Sequence, residues 1–322
     1  MANHVQRPIG GSQPAMAALP RATRPSRLRA VARWRELIVA YGFLAPSLFG
    51  VTIFLLLPVV AVFIISFYRW SLLGSPHFVG LANFTQLVHD RDAIHALLVT
   101  CYYVVLDIPI QTALALGVAL LLNQKVPGAK VFRVAFVVPW LATPVVMGII
   151  WQWLLDPSYG AVNALLGQFG ISGPAWLSDS NWALPTIVGV NFWQWTGYIS
   201  LFFLAGLQNI PEPLYEAGRT DGASPWYMFR HITLPLLNPT TYFVVVTEII
   251  GSFQVFDTIY VMTNGGPGDA TNVLNFAIYT QAFRYFAVGY ASAISVLLFL
   301  VLLISTMLLT LFFRHRTTFD MS

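Results

Sequence analysis

The apolar residues of this chain gather in long blocks separated by short polar connectors. Six blocks stand out: Leu37 to Phe67, Leu97 to Leu122, Val134 to Leu155, Leu184 to Leu207, Thr240 to Met262 and Phe286 to Phe313. Each has roughly the 20 or more residues that a helix needs to cross a hydrocarbon layer about 30 Å thick. The pattern therefore predicts an all-α membrane protein with six transmembrane helices, in a domain covering residues 37–314. Residues 1–30 show no helical period and are rich in Gly, Pro, Ala and Arg, which predicts a disordered basic tail; residues 315–322 form a second, short tail. The first block is far longer than the apolar core of a signal peptide and no small-residue cleavage site follows it, so it is expected to remain as a span.

Composition supports this picture. Of 322 residues, 57% are hydrophobic and 9% charged, against about 25% charged in an ordinary soluble domain. A water-facing globule is excluded. The net charge of +4 does not point to nucleic acid, because the basic residues are scattered over connectors rather than gathered beside exposed aromatics. The single cysteine, Cys101, lies inside an apolar block, which rules out an intrachain disulfide and a paired-cysteine metal or redox site.

The positions of Lys and Arg orient the spans, since cytoplasmic connectors carry the excess. Fourteen of these residues fall on one side: Arg7, Arg21, Arg24, Arg27, Arg29, Arg33, Arg35, Lys125, Lys130, Arg133, Arg219, Arg230, Arg314 and Arg316. Only Arg69, Arg91 and Arg284 fall on the other. Both termini are therefore expected in the cytoplasm, as an even number of spans also requires.

The connector at 208–235 differs from the rest. Pro211 and Pro213 suit a helix entry, Leu214, Glu216, Ala217 and Gly218 can form a short helix, and Gly222 permits a positive φ. Ser224 and Pro225 can cap and start a second short helix, and Pro235 is expected to bend the chain back to the membrane. Two short helices meeting at a glycine make a knob that a soluble partner can grip.

Here the residues carry a resemblance. Glu216-Ala217-Gly218, then Asp221-Gly222-Ala223, then Phe229, Ile232, Leu234-Pro235 and Pro239 resemble the EAA signature of permeases in binding-protein-dependent ABC importers. Gly218 departs from the usual alanine. Leu44-Ala45-Pro46, Val138-Pro139 and Thr263-Asn264-Gly265-Gly266-Pro267 resemble the carbohydrate branch, in the manner of maltose, glycerol-3-phosphate and actinobacterial amino-sugar importers. The resemblance covers residues 37 to 320 and implies the type I ABC importer permease fold in the cytoplasmic membrane. It also implies a second, homologous permease, two cytoplasmic ATPase subunits and an extracytoplasmic substrate-binding protein as partners. In this family the knob couples to the ATPase, a role the resemblance places on Glu216, Ala217, Gly218, Asp221, Gly222 and Ala223. The sequence has no G-x-x-x-x-G-K-[ST], so ATP and Mg are expected on the partner ATPase, and no cofactor, metal site or catalytic residue is expected here.

A sugar site needs polar groups for hydroxyls and aromatic faces for the sugar ring. Asn191, Trp195 and Tyr198 stand at i, i+4 and i+7 and share a helix face, as do Glu248 and Ser252 at i and i+4. The resemblance places these five at sugar-lining positions and adds Trp140 and Thr143. Asp107 is expected to be structural, and Asp257 a gate or a helix-packing partner. Trp151, Trp153 and Trp182 fit interfacial anchors, and His231 a solvated or interface residue. Two other classes fit the sequence less well. An ion-gradient-driven secondary transporter is commonly built from internal repeats, and none is evident between the halves of this chain. A membrane enzyme needs nucleophile, base or metal ligands on one face, which six scattered histidines and few acids do not offer.

Overall fold

The computed structural model describes residues 27–124 and 128–314. The expected tails lie almost wholly outside those residues; helix α1 already begins at Arg27. Two compact units divide the chain, one up to Pro58 and one from Val59 onward. In the first, α1 (Arg27–Val51) runs into a π-helical turn, Thr52–Leu56. That turn sits immediately before Pro58, whose missing N–H disturbs the hydrogen-bond ladder one turn upstream. Apolar side chains along it, Phe43 and Phe54 among them, are exposed.

The second unit starts in α2 (Leu57–Ile65), reverses through strands β1 (Tyr68–Arg69) and β2 (His77–Phe78), and enters α3 (Ala82–His89) and α4 (Arg91–Leu122). Asn83 fixes the reversal by donating its Nδ2 to the carbonyls of Ser66 and Tyr68 at 2.8 and 2.9 Å. There follow α5 (Ala129–Leu141), α6 (Pro144–Leu154), α7 (Ala161–Gln168) and α8 (Ala183–Gln208). The connector helices are α9 (Glu212–Thr220), α10 (Pro225–Met228) and α11 (Leu234–Leu236). Last come α12 (Asn238–Phe253), α13 (Asp257–Met262), α14 (Leu274–Tyr279) and α15 (Val288–Phe313).

Among the described residues, four helical segments are long and apolar enough to cross a membrane: Glu36–Ile65, Arg91–Leu122, Asn238–Met262 and Val288–Phe313. A fifth is a bent pair. The expected straight span Val134 to Leu155 is broken, with its two halves turned by 96°. Ala142 and Thr143 are extended (ψ 143° in both), because Pro144 drives its predecessor out of the helical region. The remaining block, α8, is 26 residues long but is not apolar enough to count with the others. It carries buried Asn191, Gln194, Thr196 and Ser200, which it can do because it packs extensively on α4 and on α5. Gly197 sets the α5 contact: a Cβ there would lie 1.8 Å from the Phe136 carbonyl oxygen.

Two apolar cores form, and the same three helices contribute to both. On α4, Ala96, Val99 and Val104 belong to one core and Ala115, Ala119 and Leu122 to the other. On α8 the division falls between Val190 and Ile199, and on α12 between Ile249 and Val244. Between the cores lie buried Asp107, Gln111, Asn191, Gln194 and Glu248, with buried Ser252 one turn further along α12. A polar layer thus crosses the helix packing at mid-length.

Candidate functional site

That layer opens into a cavity of about 440 Å³, within the range of about 300–1,000 Å³ usual for small-molecule sites. Helix α4 contributes Tyr103, Asp107 and Gln111; α8 contributes Asn191, Trp195, Tyr198 and Ile199; α12 contributes Thr247, Glu248, Ile250, Gly251 and Ser252. Both helix breaks reach it, through Pro144 at the start of α6 and through Gln254, Val255 and Phe256 before α13. Irregular backbone at membrane depth is tolerated where it lines a cavity and its polar groups are satisfied. Here they are. Gln194 Nε2 donates to the Ala142 carbonyl at 3.0 Å, and Asn275 Nδ2 donates to that of Gln254 at 2.9 Å.

Hydrogen bonds across helices set the polar side chains. Ser252 Oγ donates to Asp107 Oδ2 and Thr112 Oγ1 to Glu248 Oε2, both at 2.5 Å, tying α12 to α4 twice. Asn191 Nδ2 donates to the Tyr103 hydroxyl at 2.6 Å, tying α8 to α4. An aspartate at the centre of a spanning helix costs roughly 2.5–3.5 kcal/mol; the hydroxyl partners of Asp107 and Glu248 offset part of it.

Of the seven side chains expected at a sugar site, Asn191, Trp195, Tyr198, Glu248 and Ser252 line this one cavity. Trp140 does not. Its indole stacks flat on Tyr198, with centroids 4.2 Å apart and planes 8° from parallel, so it stands behind the wall. Thr143 is also outside the lining; it caps α6, accepting from the Val146 N–H. Asp107, expected to be structural, lines the cavity, and so does Asp257. Tyr103, Asp107 and Gln111 stand at i, i+4 and i+8 on α4, a spacing that marks one helix face. That signal was present and unread. Gln254 and Phe256 had none, since they face the cavity only because the helix breaks there.

The connector knob has the expected elbow. Gly222 has φ +76°, the Gly222 N–H reaches the Arg219 carbonyl at 3.1 Å and the Ala223 N–H the Gly218 carbonyl at 2.9 Å. This is the Schellman closure of α9. Ser224 Oγ then caps α10 by accepting from the Tyr227 N–H at 3.2 Å. Gly218 lets the two arms approach: a Cβ there would meet Ile232 Cδ1 and Met228 Sδ at 3.3 Å. Pro235 sits in the short helix α11, directly after the π-helical turn Phe229–Thr233, and a turn at Leu237 separates it from α12. Glu216, Ala217, Asp221 and Gly222 are exposed, as are Trp226 and Tyr227. His231 is exposed too, stacked on Tyr227.

Comparison with known proteins agrees with this geometry. Residues 111–318 match the family described as binding-protein-dependent transport system inner membrane component. The trehalose/maltose transport system permease protein MalF of Thermococcus litoralis is 36% identical over 275 residues, covering 84% of this chain and 92% of its own. The arabinooligosaccharides transport system permease protein AraP of Bacillus subtilis is 35% identical over 283 residues, covering 85% and 90%. A solved bacterial ABC transporter involved in importing the acidic polysaccharide alginate shares the fold, with a TM-score of 0.80 at 23% identity over 90% of this chain and all of that one. The chain belongs to the family of inner membrane components of binding-protein-dependent transport systems. Its fold is that of an ABC importer permease.

Proposed function

We propose that this chain moves a sugar inward across the cytoplasmic membrane as one of two homologous permease subunits of an ATP-driven importer. The observation that carries this is the cavity between the two cores. Asn191, Glu248 and Ser252 offer hydroxyl-pairing groups beside the aromatic faces of Trp195 and Tyr198, in a layer reached by the bent span and by the interruption between α12 and α13. The names of the two relatives, one for trehalose and maltose and one for arabinooligosaccharides, support a saccharide as cargo. In this reading Trp140 buttresses the sugar-facing Tyr198. The knob built from Glu216, Ala217, Gly218, Asp221, Gly222 and Ala223 docks on a cytoplasmic ATPase, which holds ATP and Mg and does the hydrolysis. An extracytoplasmic binding protein delivers the sugar to the opposite side. Both termini lie in the cytoplasm, by the distribution of Lys and Arg.

The test is uptake of labelled sugar by proteoliposomes containing the assembled importer, with the binding protein supplied outside and ATP inside. Uptake is expected to require hydrolysable ATP and to be indifferent to ionophores that collapse proton and sodium gradients. Uptake without ATP that follows an ion gradient would identify Asp107 and Glu248 as ion sites of a secondary transporter and overturn the reading.

A further inference from the structure

Among the described residues, the cavity wall carries three carboxyl side chains, Asp107, Glu248 and Asp257, and no lysine, arginine or histidine. Its hydrogen-bonding capacity is only partly used within the protein. One oxygen each of Asp107 and Glu248 accepts from Ser252 and Thr112. Glu248 Oε1 and both amide atoms of Gln111, a side chain only 2% exposed, are buried without a protein partner. Buried polar atoms nearly always have a partner, so these three mark hydrogen-bonding capacity in the wall that the protein itself leaves unfilled. Gln111 can donate and accept at once, as a hydroxyl requires.

We propose that this wall is a charge filter that accepts neutral and amine-bearing saccharides and excludes acidic ones. The inference rests on the reading of the cavity as a sugar site. A neutral hydroxyl can donate to a carboxyl oxygen of this wall or pair with its amides, and an ammonium group gains charge-assisted bonds wherever a wall carboxyl is ionised. A carboxylate or phosphate entering the same space loses its hydration and meets no cation, which is costly in a low-dielectric site. The fold does not impose this preference, because the alginate importer shares it while importing an acidic polysaccharide. The preference resides in the lining side chains.

The test is saturation-transfer NMR on the intact solubilised importer, with the binding protein left out so that its own selectivity does not enter. The probes are three disaccharides of similar size: neutral cellobiose, doubly cationic glucosamine dimer and doubly anionic digalacturonate. Cellobiose and glucosamine dimer are expected to half-saturate at concentrations at least about tenfold below digalacturonate. Asn191→Leu should weaken binding of the two that bind, assigning the signal to the cavity. Glu248→Gln combined with Asp107→Asn should narrow the gap between the cationic and anionic probes. Digalacturonate binding as tightly as cellobiose to the wild-type importer overturns the filter and leaves the sugar site standing. Saturation transfer to none of the three, or transfer unaffected by Asn191→Leu, overturns the sugar site and the filter with it. Where the double variant does not assemble, the wild-type comparison alone decides.

Discussion

Asn191 and Gly197 sit six positions apart on one helix and show two different ways a single residue matters. Asn191 is 7% exposed and joins Tyr103 at 2.6 Å while lining the cavity. Replacing it by Leu removes the polar contact to cargo proposed above and leaves the Tyr103 hydroxyl without that donor. Sugar uptake by the assembled importer should fall by roughly ten- to a hundredfold, the equivalent of about 1.4–2.8 kcal/mol, with membrane insertion unchanged in fractionation. Gly197 acts by what it lacks. The 1.8 Å approach of any Cβ to the Phe136 carbonyl cannot be relieved by a rotamer change, since the obstacle is backbone. Gly197→Ala should therefore push α5 from α8 and destabilise the fold by about 1–3 kcal/mol, read as a lower thermal midpoint in detergent. Asn191 was legible as a site residue from its polarity within an apolar block. Gly197 was not, because nothing in the sequence says which helix crosses at that point.

At the scale of elements, the knob and the broken spans contrast. The knob was readable because its signals are local: two prolines at the entry, Gly222 at the elbow and the Ser224-Pro225 start lie within a few residues of the bonds they govern. Gly222→Val places a β-branched residue at φ +76°, a strain of roughly 1–2 kcal/mol. ATP-driven uptake should drop while equilibrium sugar binding by the importer is retained. Glu216→Ala removes an exposed acid from the proposed docking face, and should weaken association with the ATPase by about 1.5–3 kcal/mol if the acid pairs with a charged group there; co-purification of the ATPase measures it. Wild-type uptake and association in both variants would remove the coupling role from this loop. The bend at Ala142–Thr143 rests on Pro144 locally but also needs the Gln194 amide to take the freed Ala142 carbonyl. The interruption at Gln254–Phe256 contains no proline or glycine at all. It is held by Asn275, 21 residues away along the chain, and so left no mark in the local pattern.

At the scale of the whole molecule, the distribution of basic residues makes a topological prediction. Ser178 and Ser224 are both exposed and lie in connectors assigned to opposite sides of the membrane. In a Cys101→Ser background, Ser224→Cys should react with a membrane-impermeant maleimide only from the cytoplasmic side and Ser178→Cys only from the outer side. Labelling of both from one side would contradict an even number of spans with cytoplasmic termini. The test also bears on α8, whose polar residues keep it out of the set of apolar spans and whose passage through the membrane separates these two connectors.

The sequence by itself determined the apolar blocks, their helical state and the knob, because each depends on hydrophobic length or on turn chemistry within a few residues. It also marked Asn191, Trp195, Tyr198, Glu248 and Ser252, since polar and aromatic groups on one face of an apolar helix need a reason to be there. Only the tertiary structure decided that these faces meet. Asp107 and Ser252 are 145 residues apart and Thr112 and Glu248 are 136 apart, and no periodicity along one helix specifies which face of another it will touch. The same packing moved Trp140 behind the wall, brought Asp107 and Gln111 to the front, and turned Gln254 and Phe256 toward the cavity. A helix fixes its own faces through local geometry; a cavity is made where the small residues, breaks and buried polar groups of several helices come into register.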